Sequence, residues 1–323
     1  MLNNFPLVSI VIPVFNVENY IKECLDSVIA QTYPNIEILC VDDCGTDQSI
    51  EIVKAYAKKD NRIKILKHNE NRGLPVARNS GINEAKGEFI FFLDSDDYIS
   101  VNTIHELVKK ALDSQVDITL CDSTAFLDKK YRKESLDNYI SQLNSFLVAN
   151  YDSLNVTEEN YYSSLSKVSC VSWGKLFKTK FIKDHHLKFI DYKVLHEDNG
   201  FQAKFLACKP RITCVHKKLY FYRIRENSIT QSTSNKAKKF NNLKLSIQDA
   251  ISFIKNSNSP SLAYELRDFY YVQFWTQNPF IKFYWGKRRK LLKILGIWII
   301  KYSHQFDDTK RLSVLGIRLI RGK

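Results

Sequence analysis

Gly87-Glu88-Phe89-Ile90-Phe91-Phe92-Leu93-Asp94-Ser95-Asp96-Asp97 is the stretch from which the rest of the chain is best interpreted. Residues 89–93 have the length and aromatic content of a buried strand, and a glycine precedes them. In open α/β sheets ligands bind where strands end, and clustered carboxylates repel one another unless a cation or a ligand offsets their charge. The stretch therefore predicts a site for a hard divalent ion, Mg2+ or Mn2+, with turn formation and helix capping by the aspartates as the alternative.

The composition describes a chain that can bury a large core and carries excess positive charge. It has 323 residues, of which 44% are hydrophobic, and a formal net charge of +13. This length suits one large domain with an appendage, or two domains. The charge favours a negatively charged partner, and nucleic acid, anionic lipid and a phosphorylated substrate all qualify.

The cysteines and the apolar runs bear on the cellular compartment. Seven cysteines without a CxxC pair argue against a disulfide framework and against a zinc knuckle. The N-terminus lacks the pattern of a secretory signal, and no run approaches the roughly 18 apolar residues of a membrane span. We therefore expect a cytoplasmic protein.

Strand and helix signals alternate along the first 125 residues. Apolar, largely β-branched or aromatic runs at 8–12, 36–41, 62–66 and 89–93 predict strands, and apolar positions at helical spacing lie between them. Thr46 is a predicted helix N-cap, and Ala77, Gly81 and Ala85 should let the third helix pack closely on a neighbour. The alternation predicts a parallel, doubly wound sheet with a further strand at 117–121, and the loops after its strands should share one rim.

Four motifs along this region form a recognisable set. Val-Ser-Ile-Val-Ile-Pro-Val-Phe-Asn at 8–16, Val-Asp-Asp at 41–43, the Asn-Arg-Gly and Ala-Arg-Asn-Ser-Gly pieces within 71–81, and Phe-Leu-Asp-Ser-Asp-Asp at 92–97 together resemble a family 2 glycosyltransferase. The resemblance implies the GT-A fold, a Rossmann-like, mostly parallel sheet flanked by helices. The absence of GxGxxG after the first strand and of GxxxxGK[ST] argues against a dinucleotide or P-loop site.

The resemblance implies a donor site for a UDP-sugar. Pro13 and Phe15 would line the base, Asp43 would accept a hydrogen bond from uracil, and Arg78 would lie near the diphosphate. Their alternatives are a core phenylalanine, a helix cap and a surface arginine. Asp96 is the implied direct ligand of Mn2+ or Mg2+, and Asp94 would act through water, the ribose or the sugar. The full donor-binding set is Pro13, Phe15, Asp43, Arg78, Asp94, Ser95 and Asp96.

A second set of motifs lies at 173–177, 196–201, 220–223 and 227–230. It resembles the acceptor half of bacterial surface-polysaccharide and lipooligosaccharide glycosyltransferases, so that the matches cover about residues 1–230. The resemblance makes Asp198 the general base and places Glu197 and Trp173 with the acceptor. His216 is a candidate extra metal ligand or phosphate contact. The alternatives are an acidic helix N-terminus, a core tryptophan and a structural histidine, and residues 131–166 give no prediction.

The remaining expectation concerns domains and the tail. We expect a nucleotide-sugar-binding half at 1–125, an acceptor-binding half at 126–235 and a helical, basic and aromatic region at 236–323. Residues 280–300 mix apolar and basic residues and predict a helix on the anionic inner leaflet of the cytoplasmic membrane, with packing on the catalytic domain as the alternative. A membrane surface would account for the positive charge without nucleic acid.

The sequence thus favours a metal-dependent inverting glycosyltransferase that moves a hexose, with galactose favoured, from UDP to a bacterial surface glycan or its lipid-linked precursor. One alternative is a nucleotide-sugar-forming nucleotidyltransferase, which should have a glycine-rich basic loop after the first strand. Residues 14–18 contain neither glycine nor lysine. The other alternative is a nucleic-acid-binding protein, which the charge and the aromatic content suggest.

Overall fold

The structure is a computed structural model that describes residues 5–129, 131, 136–226, 236–275, 281–285, 289–294, 297–304, 310–314 and 317–322. Side chains are described for residues 5–129, 131, 136–226 and 239–270. The chain divides into two compact units, residues 1–246 and residues 247–323.

The first unit alternates strands and helices up to residue 92 and is less regular beyond it. Its first part comprises β1 (Val8–Val14), α1 (Ile21–Ile29), β2 (Ile36–Asp42), α2 (Ser49–Ala57), β3 (Ile63–Lys67), α3 (Leu74–Glu84), β4 (Phe89–Phe92), β5 (Tyr98–Ile99) and α4 (Thr103–Ser114). It continues with β6 (Ile118–Leu127), α5 (Asp137–Phe146), β7 (Ser153–Asn155), α6 (Tyr161–Lys167), β8 (Lys175–Lys178), α7 (Thr179–Asp184), α8 (Glu197–Ala207) and β9 (Arg211–Ile224). Helix α9 (Lys236–Lys255) begins in this unit and ends in the second.

Within the described residues these strands form one nine-stranded sheet of order β3-β2-β1-β4-β8-β6-β9-β5, with β7 paired to β9. The four strands from β3 to β4 are mutually parallel, and β8 is antiparallel to both β4 and β6. Strands β6 and β9 are parallel. The predicted α/β fold with a mostly parallel sheet flanked by helices is confirmed, and the predicted strands at 8–12, 36–41 and 89–93 correspond to β1, β2 and β4.

The central strands are apolar on both faces because both faces are covered. Every residue of β1, β2 and β4 is buried, as is typical of parallel strands between helix layers. Helix α3 approaches β1 so closely that a Cβ added to Gly81 would lie 2.2 Å from Cγ1 of Val11. The close packing that the sequence predicts for the third helix is therefore observed at Gly81. The predicted cap at Thr46 is wrong: α2 starts at Ser49, whose N–H is bound by the Asp47 carboxylate at 3.0 Å.

The second unit contains the end of α9, then α10 (Leu262–Trp275) and five strands: β10 (Ile281–Trp285), β11 (Arg289–Ile294), β12 (Ile297–His304), β13 (Lys310–Val314) and β14 (Ile317–Gly322). These strands form an antiparallel sheet in chain order. The helix predicted over 280–300 is therefore wrong, although 236–275 is largely helical. The physical reason is that short runs of β-branched and aromatic residues separated by glycines at 286, 296 and 316 favour strands over a helix.

The described helices include none that is both long enough and apolar enough to span a bilayer.

Candidate active site

Three adjacent parallel strands deliver their following loops to one rim, as the sequence predicts. Because β1 lies between β2 and β4, Phe15, Asp43 and the acidic loop after β4 are neighbours at the carboxyl edge of the sheet. The ring of Phe15 is 43% exposed, whereas Pro13 is buried within β1. Lys193 places its ammonium 6.0 Å from the centre of the Phe15 ring. The rim therefore offers an exposed aromatic face with a cation beside it.

Asp43 is buried and organises the neighbouring loop. Its two carboxylate oxygens accept hydrogen bonds from the backbone N–H groups of Arg72 and Gly73, both at 2.8 Å. Oδ1 also lies 2.7 Å from Nδ1 of His68. Asn71 donates from its side chain to the Asp43 carbonyl at 3.1 Å. Asp43 thus holds the loop that leads into α3, and it does not cap a helix.

The aspartates after β4 have three different environments. Asp94 and Asp96 each keep 21% of the side chain exposed, and Asp96 accepts a hydrogen bond from Nε of Arg225 at 2.8 Å. Asp97 is buried and accepts hydrogen bonds from the Tyr220 hydroxyl and the Arg223 backbone N–H, both at 2.7 Å. Burial and the neighbouring aspartates raise the pKa of Asp97 well above its usual range. Asp97 therefore fixes the loop to β9, while Asp94 and Asp96 face the rim, with Ser95 buried between them.

Arg78 is the centre of the charged cluster. It lies on α3 and is only 1% exposed. Its NH2 group donates to Asp94 at 2.7 Å, and its NH1 group donates to Glu197 at 2.8 Å and to Asp198 at 2.9 Å. Burial opposes the charge on Arg78, but the three carboxylates outweigh that cost and raise its pKa. Arg78 is therefore not a surface arginine, which was the alternative hypothesis. It joins the acidic loop to the second half of the unit.

Glu197 and Asp198 form the first turn of α8, where the partial positive charge of the helix end favours carboxylates. Glu197 is buried, and burial and the proximity of Asp198 raise its pKa, with Arg78 acting in the opposite direction. Asp198 keeps 19% of its side chain exposed and accepts a hydrogen bond from the hydroxyl of Ser172 at 2.5 Å. Asp198 is therefore the more accessible carboxylate of the pair.

The pKa of Asp94 also depends on its burial and on the neighbouring charges. Burial raises the pKa of Asp94, Arg78 opposes the rise, and Asp96 and Asp198 add to it. The carboxylates of Asp94 and Asp198 contact the same guanidinium group. The acidic loop and the predicted general base therefore belong to one site, as the sequence requires.

Two of the contacts in the site are not predicted by the sequence. Arg225 binds Asp96, and Ser172 binds Asp198. Arg225 directly follows the end of β9 at Ile224, and no pattern in the sequence distinguishes it. Ser172 directly precedes the quoted motif at 173–177, but a serine at such a position has no distinguishing pattern.

The predicted acceptor role of Trp173 is not supported. Trp173 is 5% exposed, and its ring stacks on Tyr220 at 4.3 Å and on Tyr222 at 5.3 Å. A ring that is packed into the core in this way presents no face to a sugar. Lys175 is likewise buried and donates to the carbonyl of Val171.

The predicted role of His216 at the donor metal is also not supported. Its side chain lies 3.5 Å from Asp122 and 2.9 Å from Asp152, and it has these partners in place of Asp94 and Asp96. Strand β9 carries Tyr220 and Arg223 to the acidic loop, but His216 lies on the part of β9 beside β6.

The rim residues fit a hard divalent cation. Asp94 and Asp96 offer carboxylate oxygens, which are the ligands that Mg2+ and Mn2+ prefer. Four carboxylates, those of Asp94, Asp96, Glu197 and Asp198, are offset by two guanidinium groups, those of Arg78 and Arg225. The rim carboxylates of Asp94 and Asp96 would repel a diphosphate unless further positive charge lay beside them. A divalent ion at Asp94 and Asp96 would supply that charge.

Comparison with known proteins gives a consistent family match. Residues 9–183 match the model of Glycosyl transferase family 2. The chain is 35% identical to glycosyltransferase GlyA of Streptococcus pneumoniae over 71% of its own length, and 36% identical to the putative glycosyltransferase EpsH of Bacillus subtilis over 72%. It spans 32% of GlyA and 64% of EpsH.

Among solved structures, the fold resembles that of residues 1–349 of TarS from Staphylococcus aureus in complex with UDP-GlcNAc. The TM-score is 0.63 at 23% identity, over 84% of this chain and 73% of that one. The curated TarS sequence, described as a poly(ribitol-phosphate) beta-N-acetylglucosaminyltransferase, is 29% identical over 70% of this chain and 37% of TarS. These matches identify a fold and a family, while the residue roles depend on the geometry described above.

Proposed function

Because the chain belongs to glycosyl transferase family 2, we propose that it is an inverting enzyme that transfers a hexose from a UDP-sugar to a hydroxyl group of a bacterial surface glycan. The observation that carries this proposal is the position of Arg78, which joins Asp94 of the acidic loop to Asp198 of α8. One guanidinium group thereby brings a cation-binding carboxylate and a partly exposed base into a single site.

The donor is held by the rim residues. The exposed ring of Phe15 stacks on the base, as aromatic side chains commonly do with nucleobases. Asp43 fixes the 71–73 loop beside Phe15, and its Oδ2, which accepts a single hydrogen bond from Gly73, would accept a second from uracil. The diphosphate would then lie near Arg225, with a divalent ion held by Asp94 and Asp96 beside it. When bound there, Mn2+ or Mg2+ supplies Lewis-acid stabilisation of the charge that develops on the departing diphosphate.

The transfer is a single displacement at the anomeric carbon. The acceptor oxygen forms a bond to this carbon as the bond to the diphosphate oxygen breaks, and the electron pair of that bond leaves with UDP. Asp198 receives the proton of the acceptor hydroxyl. Ser172 and Arg78 fix the orientation of this carboxylate, and the attack from the opposite face inverts the configuration of the sugar.

For the sugar and the acceptor we propose galactose and a lipooligosaccharide or capsule precursor, on the sequence resemblance. TarS is named for transfer of N-acetylglucosamine to poly(ribitol phosphate), so the panel that tests the proposal includes UDP-galactose, UDP-glucose and UDP-N-acetylglucosamine. Release of UDP from at least one of them in the presence of Mn2+ and a glycan acceptor is expected. No turnover of any donor would contradict the proposal.

A matched pair of aspartates tests the base. Asp198→Asn should lower kcat by about 100-fold to 10,000-fold, the usual contribution of a positioned general base, while UDP affinity changes little. Asp191→Asn is the control because Asp191 is 60% exposed and faces Arg72 at 3.8 Å. Equal activity in the two variants would contradict the assignment of Asp198.

A nucleotidyltransferase would instead release pyrophosphate from UTP and a sugar phosphate, and the same assays distinguish it. A nucleic-acid-binding protein would show strongly salt-dependent DNA or RNA affinity that the Asp96→Ala change leaves intact. Under the proposed function this change removes metal-dependent UDP binding.

We also propose that the enzyme works at the inner face of the cytoplasmic membrane on a lipid-linked acceptor. Residues 281–323 contain twelve Lys and Arg and two Asp, so they carry most of the formal charge of +13. Basic residues near an anionic surface contribute about 1 kcal/mol each. Binding to phosphatidylglycerol vesicles that falls steeply with added salt is expected, and equal binding to phosphatidylcholine vesicles would contradict it.

A further inference from the structure

A second cluster of metal-binding side chains lies outside the candidate active site. Cys214 and His216 lie on β9, one on each side of Val215, and Asp122 lies on the neighbouring strand β6. The β6–β9 register is irregular on both sides of Asp122. Such bulges re-aim individual side chains. Here a thiol, an imidazole and a carboxylate are brought together, each offering one atom within 4.8 Å of the others.

The distances within the cluster are compatible with ligands of one ion. Nδ1 of His216 lies 3.5 Å from Oδ2 of Asp122, and Sγ of Cys214 lies 3.8 Å from Oδ1. An N–H···O hydrogen bond is normally about 2.9 Å long. Two ligands of a tetrahedral zinc ion, with bonds of about 2.0–2.3 Å, are about 3.3–3.7 Å apart. One ligand atom of each residue lies within 4.8 Å of the other two, so the side chains need to draw together by at most about 1 Å to surround a zinc ion.

The orientation of His216 supports the same interpretation. Its other ring nitrogen, Nε2, lies 2.9 Å from Oδ1 of Asp152. An Nε2–H that donates to this carboxylate leaves the lone pair on Nδ1, which faces Asp122 and Cys214. Metal-bound histidines commonly have such an outer carboxylate partner, which fixes the tautomer and the ring orientation.

Two of the three side chains are buried and the third is accessible to solvent, an arrangement that allows an ion to enter and be held. Cys214 and Asp122 are buried, and the backbone N–H of Ala149 holds Asp122 Oδ1 at 2.9 Å. His216 is 42% exposed, so an ion can enter from its side. Three protein ligands leave a fourth position for water. The combination of sulfur, nitrogen and oxygen ligands favours zinc over Mg2+ or Mn2+, which prefer oxygen.

We propose that Asp122, Cys214 and His216 bind a zinc ion, with Asp152 as the hydrogen-bond partner of His216. The site shares no ligand with the acidic loop at 94–97. Because it joins β6 to β9, the ion would stabilise the sheet on which the Asp97 contacts of β9 depend. The proposal is independent of the donor sugar and of the proposed transferase reaction.

Cobalt substitution tests the proposal on the full chain. The protein is stripped with EDTA and titrated with CoCl2, and the near-ultraviolet thiolate-to-cobalt band is followed together with the visible bands. One equivalent should produce the band, and ZnCl2 should remove it by competition. A Co2+ ion at Asp94 and Asp96 gives no such band, because those ligands are oxygens.

Variants identify the ligands. Cys214→Ser should abolish the thiolate band, and Cys208→Ser, at a cysteine whose thiol contacts the Lys204 carbonyl, should retain it. Asp152→Asn should weaken Zn2+ binding by about 10-fold to 100-fold. The Asp152 side chain is 91% exposed, so this change should not disturb folding. The absence of the band in the wild-type chain, its survival in Cys214→Ser, or unchanged affinity in Asp152→Asn would overturn the proposal.

Discussion

Replacement of Arg78 by methionine tests the charge balance of the site most directly. The Arg78→Met change keeps a long side chain on α3 and removes the guanidinium group that contacts Asp94, Glu197 and Asp198 at 2.7–2.9 Å. The three carboxylates then remain close together with their shared positive partner gone. We expect a large loss of folding stability at neutral and alkaline pH.

The size of the loss follows from opposing contributions. A pair of unit charges about 4 Å apart attracts by about 4 kcal/mol at an effective dielectric constant of about 20, and Arg78 makes three such pairs. The cost of burying the guanidinium and the repulsion among the carboxylates offset most of that attraction. Measured losses on removing one partner of a buried ion pair are about 3–5 kcal/mol. We expect the free energy of unfolding to fall by this amount at pH 8.

The loss should depend on pH in a defined direction. The pKa values of Glu197 and Asp94 are already raised in the folded protein, and removal of Arg78 raises them further. A carboxyl group with a raised folded pKa binds more protons in the folded state than in the unfolded state, so stability falls as pH rises through that pKa. The difference between Arg78→Met and wild type should therefore be largest at pH 8 and smaller at pH 5.5.

Urea unfolding followed by circular dichroism at both pH values measures this difference. Arg72→Met is the matched control, because Arg72 is 46% exposed and its partner Asp191 is 3.8 Å away. We expect less than about 1 kcal/mol for such a surface pair. A loss below about 1 kcal/mol for Arg78→Met at pH 8, or an equal loss at pH 5.5, would refute the reasoning.

Three further predictions concern the base site, the helix packing and the acidic loop. Phe15→Ala should change stability by less than about 0.5 kcal/mol because the ring is exposed, yet weaken UDP binding by about 1–3 kcal/mol in calorimetry; unchanged affinity would exclude stacking. Gly81→Ala should cost about 1–3 kcal/mol through its clash with Val11, and adding Val11→Ala should restore part of it, whereas purely additive thermal-unfolding effects would contradict the contact. Asp97 has a raised pKa in the folded state, so wild-type stability falls as pH rises through that pKa; Asp97→Asn should flatten this fall in urea unfolding between pH 5 and 8, and an unchanged slope would exclude Asp97 as its source.

The local parts of the fold could be predicted because short sequence signals determine them. The buried strands β1, β2 and β4 are continuous apolar runs, and parallel strands must end at a common edge, so the rim followed from the sequence. The C-terminal strands were missed because short mixed runs of basic, aromatic and β-branched residues contain no clean period of either kind.

The contacts of the candidate site could be predicted only in part. Arg78 is separated from Asp198 by 120 residues, and a spacing of this kind gives no local pattern to interpret. The burial of Trp173 against Tyr220 likewise depends on the pairing of strands that are distant in sequence. His216 was recognised as a metal-binding residue type, but the strand irregularity beside Asp122 decides which carboxylate it faces.

The single guanidinium of Arg78 has a consequence for engineering this protein. The ion pairs of Arg78 with Glu197 and Asp198 cross from one half of the first unit to the other, so the halves cannot be exchanged as independent cassettes. A chimera with a foreign 126–235 segment needs an acidic pair at the start of the matching helix. Without that pair the buried guanidinium of Arg78 would lose two of its three carboxylate partners. A 1–125 fragment expressed alone would expose the guanidinium of Arg78 to solvent. A split version of the protein should therefore be made by co-expressing the 1–125 fragment with the segment that carries Glu197 and Asp198.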